Sequence, residues 1–109
     1  MNIIIAGNGK VGSTLTRLLS TEGHDVTLID KNTHVLEESL EQYDVMAISG
    51  NCVSMHILLQ AGVKEADLLI AATDADEINL LCCTTAHYLN PNLHTIARIR
   101  DPEYSEQIY

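Results

Sequence analysis

Asn2-Ile3-Ile4-Ile5-Ala6-Gly7-Asn8-Gly9-Lys10-Val11-Gly12 opens the chain with a short apolar run and follows it at once with G-x-G-x-x-G. A continuous β-branched run with no polar alternation predicts a strand buried on both faces, the habit of parallel sheets. After the glycines, Val11, Leu15, Leu18 and Leu19 recur at the spacing of one helix face, and Gly23 marks its end. The glycines therefore sit in a strand-to-helix turn, and each has a physical task. Gly7 permits the tight turn, Gly9 lets the backbone approach a pyrophosphate without an intervening Cβ, and Gly12 lets the helix pack closely on the sheet. The start of that helix carries unpaired N–H groups and a partial positive charge, which attract phosphate. Eighteen residues beyond Gly12, Asp30 ends the next apolar run, Val26-Thr27-Leu28-Ile29. A carboxylate there can accept both hydroxyls of an adenosine ribose.

Outward from this unit the same alternation repeats. Asp25–Ile29 predicts a second strand, and Asn32 or Thr33 caps a helix carrying Val35, Leu36 and Leu40. A short strand, Val45–Ile48, leads to a turn at Gly50-Asn51, and a third helix spans Val53 to Gln60 and stops at Gly62. Leu68–Ala72 is the fourth strand. Thr73 or Asp74 caps a fourth helix that runs to Leu89, where Asn90-Pro91-Asn92 breaks it, and His94–Ile99 is the fifth strand. Parallel neighbours need right-handed crossovers. The expected fold is α/β, a doubly wound parallel sheet of the Rossmann type in strand order 3-2-1-4-5, with the ligand over the carboxyl ends of strands one and four. Asp101-Pro102 has the form of an N-cap followed by proline at the first helical position. Only seven residues follow Pro102, so residues 1–109 are expected to be one domain from the start of a longer protein, truncated before a sixth strand.

Composition narrows the partners. The 109-residue chain carries a net charge of −9 and only six basic residues, Lys10, Arg17, Lys31, Lys64, Arg98 and Arg100. This predicts no nucleic-acid partner, because phosphate backbones are held by clustered Lys and Arg. No apolar stretch approaches the roughly 20 residues of a membrane span, so no direct membrane insertion is expected. Cys52, Cys82 and Cys83 leave an odd count and no C-x-x-C, which fits a reducing cytoplasm. The adjacent pair Cys82-Cys83 reads as small-residue packing on a helix. His24, His34, His56, His87 and His94 show no metal-ligand spacing, and no metal is expected. Asp74, Asp76 and Glu77 cluster where the fourth helix starts and complement its dipole, with an acidic contact to a partner chain as the alternative.

The glycine loop with Asp30 has a ligand-free alternative, a plain tight turn. With a ligand, Asp30 repels a ribose 2′-phosphate and favours NAD(H), Lys31 beside it partly offsets that repulsion, and ATP or ADP can use the same ribose and phosphate contacts. Lys10 either reaches phosphate or is simply solvated.

Gly7-Asn8-Gly9-Lys10-Val11-Gly12, Asp30, Gly50-Asn51, Ala71-Ala72-Thr73-Asp74, Asp76-Glu77-x-Asn79 and Ala97-Arg98-Ile99-Arg100 together resemble the RCK, or KTN, family. The resemblance runs the length of the chain. Within that family it points to the N-terminal nucleotide-binding domain of the peripheral subunit of Trk potassium-uptake systems. It implies a cytoplasmic domain that binds NAD(H), or ATP and ADP in relatives, forms a homodimer or higher homo-oligomer, and regulates a membrane potassium transporter subunit from its cytoplasmic face. By position, the backbone of Gly7, Asn8, Gly9, Lys10 and Val11 would hold pyrophosphate and Asp30 the ribose. Asn51 would lie by the adenine, Thr73 and Asp74 would line the site, and Arg98 would bring a guanidinium to the ligand. The competing class is a dehydrogenase fragment, which needs a group to handle the substrate proton. Tyrosine four residues before lysine would supply one, but Tyr43 and Tyr88 are followed there by Ala47 and Asn92. The expected role is therefore regulatory, not enzymatic.

Overall fold

The computed structural model describes residues 1–103. In chain order the elements are β1 (Asn2–Ala6), α1 (Lys10–Thr21), β2 (Asp25–Asp30), α2 (Thr33–Gln42), β3 (Met46–Ser49), α3 (Met55–Gln60), β4 (Leu68–Ala71), α4 (Asp76–Leu89) and β5 (His94–Ala97). The five strands form one parallel sheet in the order β3-β2-β1-β4-β5, as the alternation of strands and helices requires. β1 is central, pairing Ala6 with Ile29 of β2 on one side and with Ala71 of β4 on the other.

The unbroken apolar run of β1 follows from its position, since both of its faces are covered. Ile3 and Ile5 point into a layer with Val26, Leu28 and Leu36, against which Val11, Leu15 and Leu19 of α1 pack. Ile4 and Ala6 point to the opposite layer, which holds Leu58 of α3 and Cys82, Cys83 and Ala86 of α4. All four side chains of this run are at most 2% exposed. Burial on that scale contributes about 1.5–3 kcal/mol for each isoleucine.

The helix starts decide where the loops go. Asn32, one of two expected caps, is the residue that caps α2: its side-chain oxygen accepts from the N–H groups of His34 at 3.0 Å and Val35 at 3.4 Å. α3 begins at Met55 and not at Val53, because Ser54 takes the capping position and accepts from Ile57 N–H at 3.3 Å. The expectation that Thr73 or Asp74 caps α4 is corrected: the N-cap residue is Ala75, which has no side-chain cap to offer. Thr73 is engaged elsewhere, as the site shows. β5 ends at Ala97, two residues before the expected Ile99, although Arg98 N–H still donates to Ala71 carbonyl at 2.8 Å. Asp101 caps as expected, accepting from Glu103 N–H at 2.9 Å, and the remainder of the helix expected after Pro102 lies outside the described residues.

Candidate functional site

The carboxyl ends of the central strands open on a cleft of about 440 Å³. That size suits a bound small molecule or cofactor. Its floor is the β1–α1 turn. Gly7 has φ +98°, a conformation L side chains rarely adopt, and a Cβ there would stand 2.9 Å from Ala72 carbonyl oxygen and Thr73 nitrogen. Gly12 is closed in from the same side, since its Cβ would overlap the Gly7 carbonyl, so the first turn of α1 lies directly on the loop. Gly9 is the opposite case, with nothing within 4 Å of the position a Cβ would take. It lines the open cleft and caps α1 without any side-chain hydrogen bond, and no acidic residue occupies the first turn. The free N–H groups and positive dipole end of a 12-residue helix thus face open space, the arrangement that receives an anion.

Asp30 stands at one side of this floor, at the end of β2. Its two oxygens accept from backbone amides, Oδ2 from Asn8 N–H at 2.7 Å and Oδ1 from Asn32 N–H at 2.8 Å. The carboxylate therefore ties the glycine loop to the start of α2, and each oxygen keeps a lone pair for a further donor. This revises the expectation for Asn8, whose N–H is given to Asp30 and not to phosphate. Its side chain is turned away as well: Nδ2 donates to Val35 carbonyl at 3.1 Å and to Ser39 Oγ at 2.7 Å, behind the cleft wall. Asn8 and Gly12 thus shape the site from outside. The other positions expected from sequence, Gly7, Gly9, Lys10, Val11, Asp30, Lys31, Asn51, Thr73, Asp74 and Arg98, all line it.

Beyond Asp30, Gly50, Asn51 and Cys52 close the near end. Asn51 holds this turn in shape by accepting from Val53 N–H at 3.1 Å. Cys52 is buried beside Cys82 in the core, and a hydrogen bond from the Cys82 thiol lowers the Cys52 pKa from its ordinary value. The Cys82 thiol is pushed far up by that same bond and by burial, and Cys83 rises to about 11 through burial. At the far end, Arg98 Nη1 lies 3.7 Å from Asp74 Oδ1, but Asp74 is 96% exposed. Such a pair contributes at most about 1 kcal/mol and leaves the guanidinium available. Lys10, Lys31 and Arg98, half of the six basic residues, line this one cleft with the carboxylates Asp30 and Asp74, a local charge of +1 in a chain of net charge −9. That concentration favours an anionic ligand.

Asp76 stands in the first turn of α4, as expected, and has a second engagement there. It is 8% exposed and accepts from Arg100 N–H at 3.0 Å and Asp101 N–H at 2.8 Å, and these two bonds hold its carboxyl below the usual aspartate range. Sequence reading also missed Val35 and Ile78, which supply apolar wall from the first turns of α2 and α4. Helix starts border the ligand crevice in this topology, and that signal was available. Among the described residues no three His, Cys, Asp or Glu side chains gather in a way that holds a metal, and no helix is long and apolar enough to cross a membrane.

Comparison with known proteins agrees with this geometry. The chain is 40% identical over 104 residues to the Trk system potassium uptake protein TrkA of Vibrio alginolyticus, spanning 95% of this chain and 23% of that protein. It is 40% identical over 102 residues to a TrkA homolog of Pyrococcus abyssi, covering 94% of this chain and 45% of the relative. The curated relatives are thus more than twice as long as the matched region. Among solved structures, the Shewanella denitrificans Kef CTD in AMP-bound form superposes with a TM-score of 0.84 at 31% identity, over 98% of this chain and 64% of that one. The GsuK channel bound to NAD gives the same TM-score at 25% identity, over 98% of this chain and 19% of that one. Residues 3–109 match the model of the TrkA-N domain, and with the sheet order and cleft already described, the chain belongs to the TrkA-N domain family.

Proposed function

We propose that this domain binds NAD(H) in the cleft over β1 and β4 and serves as the nucleotide-sensing regulatory unit of a membrane potassium uptake transporter, without catalysis. The observation that carries the reading is the pairing of Asp30, its carboxylate at the cleft with lone pairs to spare, with the uncapped α1 start behind Gly9. A ribose diol on Asp30 and a pyrophosphate over Gly9, Lys10 and Val11 use both at once. Asn51 then borders the adenine end, while Thr73, Asp74 and Arg98 border the second half of a dinucleotide. Support for the nucleotide class comes from the NAD-bound GsuK channel and the AMP-bound Kef domain, and support for the transporter from the Trk system relatives. ATP or ADP is the second reading, favoured by the ADP-bound GsuK relative and by the fact that Asp30 and the glycine loop by themselves form an adenosine phosphate site.

In this role the domain works on the cytoplasmic face as a homodimer or higher homo-oligomer docked to the transporter subunit. β5 is an edge strand with Ile96 53% exposed, and Leu81 and Tyr88 of α4 are exposed too, leaving apolar surface for association.

Thermal unfolding with NADH, NADPH, ATP and ADP tests the reading. At 100 times the dissociation constant, linkage stabilises by about 2.7 kcal/mol, which for a domain this size is on the order of 10 °C. NADH is expected to give that shift and NADPH a smaller one. No shift with any of the four would refute nucleotide binding.

A further inference from the structure

Asn79 lies on α4, in the segment Asp76-Glu77-x-Asn79, and is fully buried behind the far wall of the cleft. Its side chain uses its whole hydrogen-bonding capacity. Oδ1 accepts from Thr73 N–H at 2.9 Å and from Thr73 Oγ1 at 2.6 Å, while Nδ2 donates to Thr73 carbonyl at 3.1 Å and to Arg98 carbonyl at 2.8 Å. One amide thus joins two segments that are 25 residues apart in sequence and that both line the cleft. Nearby, the same segments are also tied by Arg98 N–H donating to Ala71 carbonyl at 2.8 Å and by Asp76 accepting from Arg100 and Asp101 N–H, but Asn79 is the side chain that bonds to both Thr73 and Arg98. The β4–α4 loop lacks a side-chain helix cap, and the ladder between β4 and β5 has ended at Ala97.

We infer that Asn79 is a positioning residue that sets the preference for a dinucleotide over a mononucleotide. This rests on the proposed nucleotide site. A mononucleotide engages Asp30, the glycine loop and the Asn51 turn, to none of which Asn79 bonds; its nearest link to them is Thr73, whose nitrogen lies beside Gly7. Only a ligand that continues across the cleft meets Thr73 and Arg98, whose backbones Asn79 holds. An asparagine suits the task because it accepts from one segment while donating to both, and replacement by aspartate turns a second oxygen toward two carbonyl oxygens, which repel it.

The test is calorimetric titration of the wild-type protein and of Asn79→Asp and Asn79→Ser with NADH and with AMP. Both variants are expected to lose roughly tenfold or more in NADH affinity while AMP affinity stays within about threefold. Equal losses for the two ligands, or no loss for either, would overturn the inference. Should neither variant fold, the wild-type protein supplies the readout through nuclear magnetic resonance of the Asn79 side-chain amide. NADH at saturation is expected to shift that signal and AMP to leave it in place; identical responses would overturn the inference. A wild-type protein that binds neither ligand refutes the nucleotide site itself, and this inference with it. Wild-type binding with an unchanged NADH-to-AMP ratio in the variants refutes only the role of Asn79.

Discussion

The two halves of the cleft are built by different means. On the Asp30 side, glycines without side chains, a bare helix start and a carboxylate that accepts two backbone amides define the surface. On the Thr73 and Arg98 side, a buried asparagine and a buried aspartate on α4 reach across to hold chain that arrives from β4 and β5. The first half depends on what backbone conformation and close approach allow, and the second on buried side chains of α4 that bond to the backbone of neighbouring segments. Substitutions should therefore fail differently on the two sides.

The largest effect is expected from Gly12→Ala. The added methyl overlaps the Gly7 carbonyl, which is backbone and cannot rotate away. Overpacking of this kind costs about 3 kcal/mol, and the melting temperature should fall on the order of 15 °C. A variant as stable as the parent would mean that α1 does not rest on the loop as described.

Next comes Asp30→Ala. Hydrogen bonds to a charged group are worth about 1.5–3 kcal/mol, so NADH affinity should drop roughly ten- to a hundredfold. Because Asp30 also fixes Asn8 and Asn32, AMP should weaken as well, and NADPH should lose less than NADH since the carboxylate opposes its 2′-phosphate. Calorimetry with the three ligands checks this, and identical losses for NADH and NADPH would show that Asp30 does not face the ribose.

Gly9→Ala sharpens the contrast within the loop. Nothing stands within 4 Å of the new methyl, so the fold should lose no more than about 1 kcal/mol, the cost of a poorer N-cap. Nucleotide affinity should nevertheless fall about tenfold, because the methyl occupies the approach to pyrophosphate. Thermal scans and titration on one preparation separate the two quantities, and intact affinity would place the phosphates elsewhere.

The smallest effect concerns the far side and pH. Asp76 has its pKa lowered in the folded protein, so its ionised form contributes stability that is fully present above the unfolded-state pKa and fades as pH falls through the lower folded value. Asp76→Asn should thus be less stable than the parent near neutrality, with the gap narrowing only in acid below about pH 4. Urea unfolding across a pH series measures it, and a gap independent of pH would assign the role of Asp76 to shape alone.

These halves also differed in how far they could be read from sequence. The strand order and the glycine loop were legible because their causes are local: a continuous apolar strand, glycines at fixed offsets and a carboxylate at the end of the next strand. Even there, the engagement of Asn8 N–H with Asp30 was hidden, since motif spacing does not say where an amide points. On the far side, Thr73 and Asp74 were expected to cap α4 because capping residues precede a helix. Thr73 instead bonds Asn79 six residues later, and Asp76 binds amides 24 and 25 residues away. Capping rules look only to the first turn and so do not see Thr73 bonding to Asn79, and the Asp76 pairings exist only after β4 and β5 align.

The most direct test of the account is titration of the isotope-labelled domain with NADH, followed through backbone amide resonances. Saturable shifts are expected at Gly9, Lys10 and Val11, at Asp30, and at Thr73 and Arg98, all fitting one dissociation constant. Saturable shifts confined to residues away from the carboxyl ends of the strands, or no saturable shift at all, would contradict NADH binding in the cleft.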